Sequence, residues 1–280
     1  MNEENVSYLQ NQLKFMGFGE KLHQQLVDMI KADKPEFTLR ANYDYKRPPT
    51  SPNEISEKDT VSYELFFKKG SEKEMYFFNK YEASLVKELP GQKEHAAQKV
   101  EMSELKNTFY MDRGKGVTAK EAYNLLDGRS VYKELTKKGT DETYNAWLKI
   151  DFTTKGENGN YKPAVYTDKY GFDVVKELDK LQAEKPFLEK KEDILQSLKK
   201  GNVTPISIGG KEEGTVKFSI QANPQFHAID VFDEKGKKQF VDRKTSQSVE
   251  TKQENKVTGE TKKEEAKEEQ KVKRRATVKR

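Results

Sequence analysis

Two patterns in this 280-residue chain carry residue types that could do chemistry. The first is Asp112-Arg113-Gly114-Lys115-Gly116, just before a helical segment. Glycines free backbone N–H groups and a helix N-terminus favours an anion, which makes Arg113 and Lys115 candidate phosphate ligands. The run lacks the Gly-x4-Gly-Lys-Ser/Thr order of a P-loop, and a turn leading into a helix cap at Thr118 explains both glycines; the turn is the favoured reading. The second pattern is aromatic. Trp147, the only tryptophan, stands out of phase with the apolar alternation of its own strand, sharing a face with Asn145, Lys149 and Asp151. In the simplest hairpin register Tyr132 lies across from it, with Arg129 and Lys133 near in sequence. Flat rings beside cations stack bases and contact phosphates, so Tyr132, Trp147, Lys149 and Arg129 form a candidate nucleic-acid or partner-binding face. The alternative is that a helix covers this face and Trp147 is core.

Catalytic and metal chemistry find little support. The chain has no cysteine, which excludes disulfide frameworks, Cys-ligated zinc and cysteine nucleophiles. His23, His95 and His227 are scattered, and His227, alternating with Ile229 and Val231, reads as a structural histidine. Neither a Gly-x-Ser-x-Gly elbow nor a His-Glu-x-x-His helix occurs. No residue is singled out as catalytic and no metal or cofactor is expected; the favoured reading is non-enzymatic, and an enzyme without a recognisable motif stays open.

Charged residues make up 35% of the chain and hydrophobic ones 33%. The net charge of +5 resides wholly in residues 242–280, with 13 Lys or Arg against 8 Asp or Glu, so the preceding body is neutral. That terminal segment holds no aromatic residue, no Leu and no Ile, and its composition predicts disorder. Its last ten residues collect Lys271, Lys273, Arg274, Arg275, Lys279 and Arg280 with no acid. Such an end attracts DNA or RNA, an anionic surface or an acidic partner, or acts only as a solubilising tail. No apolar run reaches the length of a membrane span and the N-terminus lacks the order of a signal peptide, so the expected location is cytoplasmic.

The elements that must position these residues are short. Val6, Leu9, Leu13 and Met16, then Leu22, Leu26, Met29 and Ile30, recur at helical spacing. Past Pro35 the period becomes two, at Phe37 to Tyr45 and Val61 to Phe67, with a third strand at Met75 to Asn79 and a fourth strand or short helix at Tyr81 to Lys87. Pro90 to Gln98 reads as a link. Thr118-Ala119-Lys120-Glu121 matches a capping box, with Gly128 ending the helix. A hairpin follows through Lys137 to Glu142, then helices at Asp173 to Leu181 and Leu188 to Lys200, strands at Pro205 to Ile208, Val216 to Ala222 and Phe226 to Phe232, and a last short strand at Lys238 to Val241. The expected fold is α+β, with small, mainly antiparallel sheets and short amphipathic helices. Residues 1–88 hold a helical hairpin plus antiparallel strands; 99–241 form an α+β domain with a central helix, a hairpin and a C-terminal helix–strand unit; 242–280 are a disordered charged tail with a basic end. Glu20 to Leu85 and Glu189 to Phe232 share one order, helix then three strands, as a duplication or a chance likeness would produce.

Four phrases add a resemblance: Tyr76-Phe77-Phe78-Asn79-Lys80-Tyr81, Thr118-Ala119-Lys120-Glu121-Ala122-Tyr123-Asn124-Leu125-Leu126-Asp127-Gly128-Arg129, Ser197-Leu198-Lys199-Lys200-Gly201-Asn202 and Ala222-Asn223-Pro224-Gln225-Phe226. Over most of residues 10 to 235 the chain resembles an uncharacterised family, a domain of unknown function encoded on conjugative transposons and other mobile elements of gut anaerobic bacteria. The resemblance implies a context, the transfer, maintenance or regulation of mobile DNA, and no residue roles. The expected function is that of an accessory protein binding nucleic acid or a nucleoprotein partner; the alternative is a module that docks another mobile-element protein without touching nucleic acid.

Overall fold

The structure, a computed structural model, describes residues 1–47, 58–71, 74–88, 102–181, 187, 189–210 and 214–240. The basic end, with Lys271, Lys273, Arg274, Arg275, Lys279 and Arg280, and the link at 90–98 lie outside the described residues. The fold is α+β, with three antiparallel sheets and short helices among the described residues.

Helix α1 (Glu3–Phe15) starts where the Asn2 side chain accepts the Asn5 N–H, and α2 (His23–Lys31) turns its Leu26 and Ile30 inward beside Leu9 and Leu13 of α1. Strands β1 (Glu36–Lys46), β2 (Lys58–Lys69), β3 (Tyr76–Glu88) and β4 (Met102–Tyr110) pair in sequence order. On β2 the buried residues Val61, Tyr63, Leu65 and Phe67 alternate as a half-buried strand requires. In β3 the alternation breaks. Phe66 pairs with Lys80 but Phe67 with Phe78, so Asn79 is an extra residue, and the inward set jumps from Tyr76 and Phe78 to Tyr81, Ala83 and Leu85. This bulge is why the segment reads in sequence as two elements rather than one strand. The sheet also recruits β4 from beyond the expected link. In β4 the inward position between Leu105 and Phe109 is Asn107, whose Oδ1 accepts the Tyr161 N–H at 2.8 Å, and this polar insertion hides the strand's period.

Helix α3 (Ala119–Leu126) carries the capping box: Glu121 N–H donates to Thr118 Oγ1, and Glu121 Oε2 accepts the Thr118 N–H at 2.8 Å. Strands β5 (Val131–Thr136), β6 (Thr143–Lys155) and β7 (Tyr161–Thr167) form the central sheet in order β5-β6-β7. β7 escapes a period-two reading because Pro163 interrupts it, which an edge strand tolerates. Next come a single 3-10 turn (Asp168–Tyr170), α4 (Val174–Asp179) capped by Asp173, and α5 (Lys191–Lys199). Strands β8 (Thr204–Gly210), β9 (Gly214–Asn223), β10 (Ala228–Phe232) and β11 (Lys238–Gln239) pair in sequence order, with a 3-10 turn (Pro224–Phe226) between β9 and β10.

The central sheet is buried on both faces, and its alternation divides the molecule. Val131, Leu148 and Ile150 join the core built by α1, α2, α3 and the first sheet. Trp147, one residue out of phase, joins a second core with Phe172, Leu178, Ile194, Leu195, Leu198, Ile206, Ile220, Ile229 and Val231. Polar ties hold these layers. Asn124 Nδ2 of α3 donates to Lys200 O at 2.6 Å and to Asn202 Oδ1 at 3.0 Å. Gly201, at φ +78, runs so close to Ser130 O that a Cβ would sit 2.8 Å from it.

The two helix-plus-strand units share strand order. α2 and α5 are nine residues each and end alike: the N–H groups of Ala32 and Asp33 donate to Asp28 O and Ile30 O, those of Lys200 and Gly201 to Gln196 O and Leu198 O. Asp33 and Gly201 are both left-handed, at φ 52 and 78, and each strand begins three residues later. The third strands do not correspond residue for residue: Asn223 closes β9 and Phe226 lies in a turn, whereas Asn79, Tyr81 and Ala83 belong to β3.

Candidate functional site

The expected phosphate cradle is a tight hairpin turn. Asp112 and Lys115 exchange two backbone hydrogen bonds of 2.8 Å, with Arg113 at φ 50 and Gly114 at φ 80, the left-handed pair of a type I′ turn. Arg113 ion-pairs with Asp141, and Lys115 with Glu134 at 3.5 Å. The first turn of α3 is already served by Thr118 and Glu121. The cations have carboxylate partners and two turn N–H groups are spent, in line with the favoured turn reading rather than with Arg113 and Lys115 as phosphate ligands.

The aromatic face exists in the expected register. Tyr132 pairs with Trp147 across β5 and β6, and Trp147 with Tyr166 across β6 and β7, so three rings stand in a row on one side of the central sheet. Its centre is sealed. Trp147 is 3% exposed, with Tyr132 at 5.2 Å and Phe172 at 5.4 Å between ring centroids, and the second core lies over it. A ring so enclosed offers no face to a base, and the stacking role expected of Trp147 is corrected to a core role. Burial pushes the Tyr132 hydroxyl up, and that hydroxyl donates to Asp168 Oδ1 at 3.1 Å.

The rim of the same face is open. Tyr166 meets Tyr170 edge-on at 4.9 Å, and Tyr170 stacks on His227 at 4.4 Å with the rings 12° from parallel. The Tyr170 hydroxyl donates to Gln225 O at 3.0 Å, and Lys149 Nζ donates to Gln225 Oε1 at 3.2 Å, so the 3-10 turn is clasped from two elements of the central region. His227 does not share the buried face of Ile229 and Val231. It precedes β10 in a left-handed conformation, φ 48 and ψ 42, which aims its ring at Tyr170. Tyr170 is 42% exposed and Phe226 67%. Acids are interspersed: Asp168 lies beside Tyr132, and Asp151 stands on β6 two residues past Lys149. Sequence reading finds Tyr132 and Lys149 for this surface but misses Tyr166, Tyr170 and Phe226. The available signal is aromatic density in Tyr161 to Tyr170, which Pro163 disguises.

Arg129 stands elsewhere, on the first-core side of α3. Tyr45 of β1 stacks on Tyr123 of α3 at 4.5 Å and 11°. Tyr123 donates its hydroxyl to Asp59 Oδ2 at 2.8 Å, and Arg47 holds Asp59 Oδ1 at 2.7 Å. Arg129 lies against the Tyr123 ring at 4.9 Å, and Lys120 Nζ lies 4.4 Å from the centroid of Tyr123 and 4.6 Å from that of Tyr45. Burial, reinforced by the charge of Arg129, lowers the Lys120 ammonium to about 8. Burial likewise lowers Arg129, and it pushes the Tyr45 hydroxyl up to about 12. In sequence Lys120 stands only as a member of the Thr118 capping box; its i, i+3 spacing to Tyr123 is the signal that marks the contact.

Among the described residues no helix is long and apolar enough to cross a membrane, and no group of three or more His, Asp or Glu is arranged to hold a metal ion. The chain matches no family model, no curated protein and no solved structure.

Proposed function

We propose that the chain is a non-enzymatic accessory protein of a mobile genetic element that docks another protein of that element where the central sheet meets the C-terminal unit, through Tyr166, Tyr170, Phe226 and His227. The observation that carries this reading is the exposed ring cluster itself: Phe226 and Tyr170 stay in water while a hydrogen-bonded turn and a left-handed histidine hold the cluster in place. Rings that contribute area at low entropic cost are typical anchors of protein interfaces. A protein partner is favoured over nucleic acid because cations along the body alternate with acids. Arg40 pairs with Glu64, Lys69 with Asp33, Lys106 with Glu82, Lys133 with Glu121, Lys191 with Asp179 and Lys238 with Asp230. A surface of that kind repels phosphates as often as it attracts them. The mobile-element context rests on the family resemblance.

The second reading, DNA or RNA binding, is favoured by one feature, the six bases of Lys271 to Arg280 without an acid. Recovery of the tagged full chain from its host, with and without nuclease, separates the two. The docking reading expects the same protein to be retained in both arms and lost when Tyr170 and Phe226 are changed to Ser. Recovery that vanishes with nuclease and ignores those substitutions favours the nucleic-acid reading.

A further inference from the structure

We propose that two copies of this chain pair edge to edge through β1, antiparallel about a two-fold axis at Asn42, and so join their first sheets into one. This surface is separate from the ring cluster of the docking reading, and the two can fail independently.

The edge is open, long and regular. β1 is the outer strand of the first sheet and pairs with β2 over 11 residues with no shift of register. Lys69 N–H donates to Pro35 O at 2.8 Å, which extends that register by one pair and fixes its phase. Hydrogen-bonded pairs alternate along an antiparallel ladder. The odd-numbered residues from Phe37 to Tyr45 therefore bond to β2, and the even-numbered ones from Glu36 to Lys46 turn N–H and C=O outward. Among the described residues no other element takes those groups. Other edges are blunted: β7 carries Pro163, β4 gives the Thr108 N–H to Asn160 Oδ1 at 3.0 Å, and β11 has 2 residues. β1 carries charges instead, and their order decides what pairs with it.

Its solvent face reads Glu36, Thr38, Arg40, Asn42, Asp44, Lys46. Outward main-chain groups of two copies meet only when even-numbered residues face each other, so the two-fold axis passes through a residue. With the axis at Arg40 that guanidinium faces its own copy and Glu36 faces Asp44; with the axis at Tyr43, Arg40 faces Lys46. Both arrangements repel. At Ala41 only the outermost pair, Glu36 and Lys46, is complementary. At Asn42, Arg40 faces Asp44 on both sides of the axis, in the middle of the contact. Both side chains are within reach of a partner. Arg40 gives Nε to Glu64 at 2.7 Å and its side chain stays 72% exposed; Asp44, with the Thr60 hydroxyl at 2.8 Å and Lys58 at 3.9 Å, stays 53% exposed.

The inward face agrees with this axis. Phe37 and Leu39 are buried, whereas Ala41, Tyr43 and Tyr45 are only half-buried. A second strand centred on Asn42 lies beside that stretch, sets Tyr43 against Ala41 of the other copy and removes apolar surface from water. Facing residues from Thr38 to Lys46 then exchange about ten main-chain hydrogen bonds. Such an isologous pair closes on itself, so the assembly stops at two copies.

The test is sedimentation velocity of the full chain from about 5 to 500 µM, a range suited to a contact of small area. A monomer–dimer equilibrium is expected. Asn42→Pro removes an outward N–H, a change that an edge strand tolerates, and should weaken the dimer at least about tenfold with a near-native melt. Arg40→Asp and Asp44→Arg each set like charges face to face and should weaken it too, whereas the double variant exchanges the signs and restores it. Tyr170→Ser with Phe226→Ser should dimerise like wild type. The register is read with a cysteine, since the chain has none. Facing Cα atoms of a hydrogen-bonded pair lie about 5.5 Å apart, within the span of a disulfide. Under mild oxidation Asn42→Cys should give a covalent dimer, and Ser62→Cys, exposed at the facing position on β2 and one strand further from the axis, should not. The proposal is overturned if the chain stays monomeric throughout that range, if Asn42→Pro leaves the dimer unchanged, if the charge exchange fails to restore it, if the Tyr170 and Phe226 substitutions abolish it, or if Ser62→Cys cross-links as readily as Asn42→Cys.

Discussion

The N-terminal and C-terminal units follow the same path, helices then an antiparallel meander, yet they use aromatic rings in opposite ways. In the N-terminal unit most rings build the core, although Tyr8, Phe15 and Phe77 are exposed. Phe18 meets Tyr63 and Tyr81 edge-on at 5.4 and 5.3 Å, Phe37 stacks on Phe67 at 4.9 Å, and Phe67 on Phe78 at 5.0 Å. Their hydroxyls reach backbone carbonyls: Tyr63 donates to Ala119 O at 2.7 Å, Tyr81 to Val117 O at 2.6 Å, and Tyr76 to Lys34 O at 2.9 Å. Burial pushes the Tyr63 and Tyr81 hydroxyls far above the ordinary tyrosine range, which keeps them protonated donors near neutral pH. In the C-terminal unit the core is largely aliphatic, and Phe226 and His227 stand at the surface beside Tyr170 of the central region. Rings that fill a core or fix the entry to α3 have a folding role; rings held in water by a clasped turn have none, and the proposed docking surface rests on that contrast.

The contrast breaks or sharpens under substitution. Trp147→Ala removes a ring from the junction of the two cores and should cost about 3–5 kcal/mol of stability in denaturant unfolding; a cost under about 1 kcal/mol would return Trp147 to the list of surface candidates. Tyr81→Phe leaves the Val117 carbonyl without its donor, and the expected loss is about 1–2 kcal/mol. Tyr170→Ser together with Phe226→Ser should change stability by no more than about 0.5–1 kcal/mol while abolishing docking, the reverse of the pattern at Tyr81. The smallest effect concerns Lys120. Its folded value of about 8 lies below the ordinary 10.5, so the cost of burying the charge is fully present below pH 8. As pH rises from about 8 toward 10.5 the folded chain sheds that proton while the unfolded chain keeps it, and stability gains. Lys120→Met should therefore melt slightly higher than wild type near pH 7, by roughly 2 °C, with the difference closing by about pH 10.5.

Where sequence periods are unbroken they report the fold. The helical stripes of α1 and α2, the capping box at Thr118, the β5–β6 hairpin and the facing of Tyr132 and Trp147 are all legible. Legibility ends where one residue disturbs the period for a structural reason: the Asn79 bulge splits β3 in two, Asn107 trades an apolar position for a bond to Tyr161, and Pro163 hides the edge strand β7. The candidate surface was half legible. Alternation identifies the face of Trp147, but alternation cannot say that a second core lies over its centre and leaves only its rim exposed. The cluster around Tyr123 was illegible, because Tyr45, Asp59, Lys120 and Arg129 meet only through the packing of α3 on the first sheet.

The most direct test of the docking claim is site-specific photo-crosslinking in the host. A photoreactive phenylalanine analogue replaces Phe226 in the C-terminal unit and, in a second strain, Phe15, which is 82% exposed on α1 and touches no other ring among the described residues. The account predicts one discrete protein adduct from position 226 that survives nuclease, is lost when Tyr170 is Ser, and is absent from position 15. Nuclease-sensitive adducts at position 226, or equal protein adducts from both positions, would contradict it.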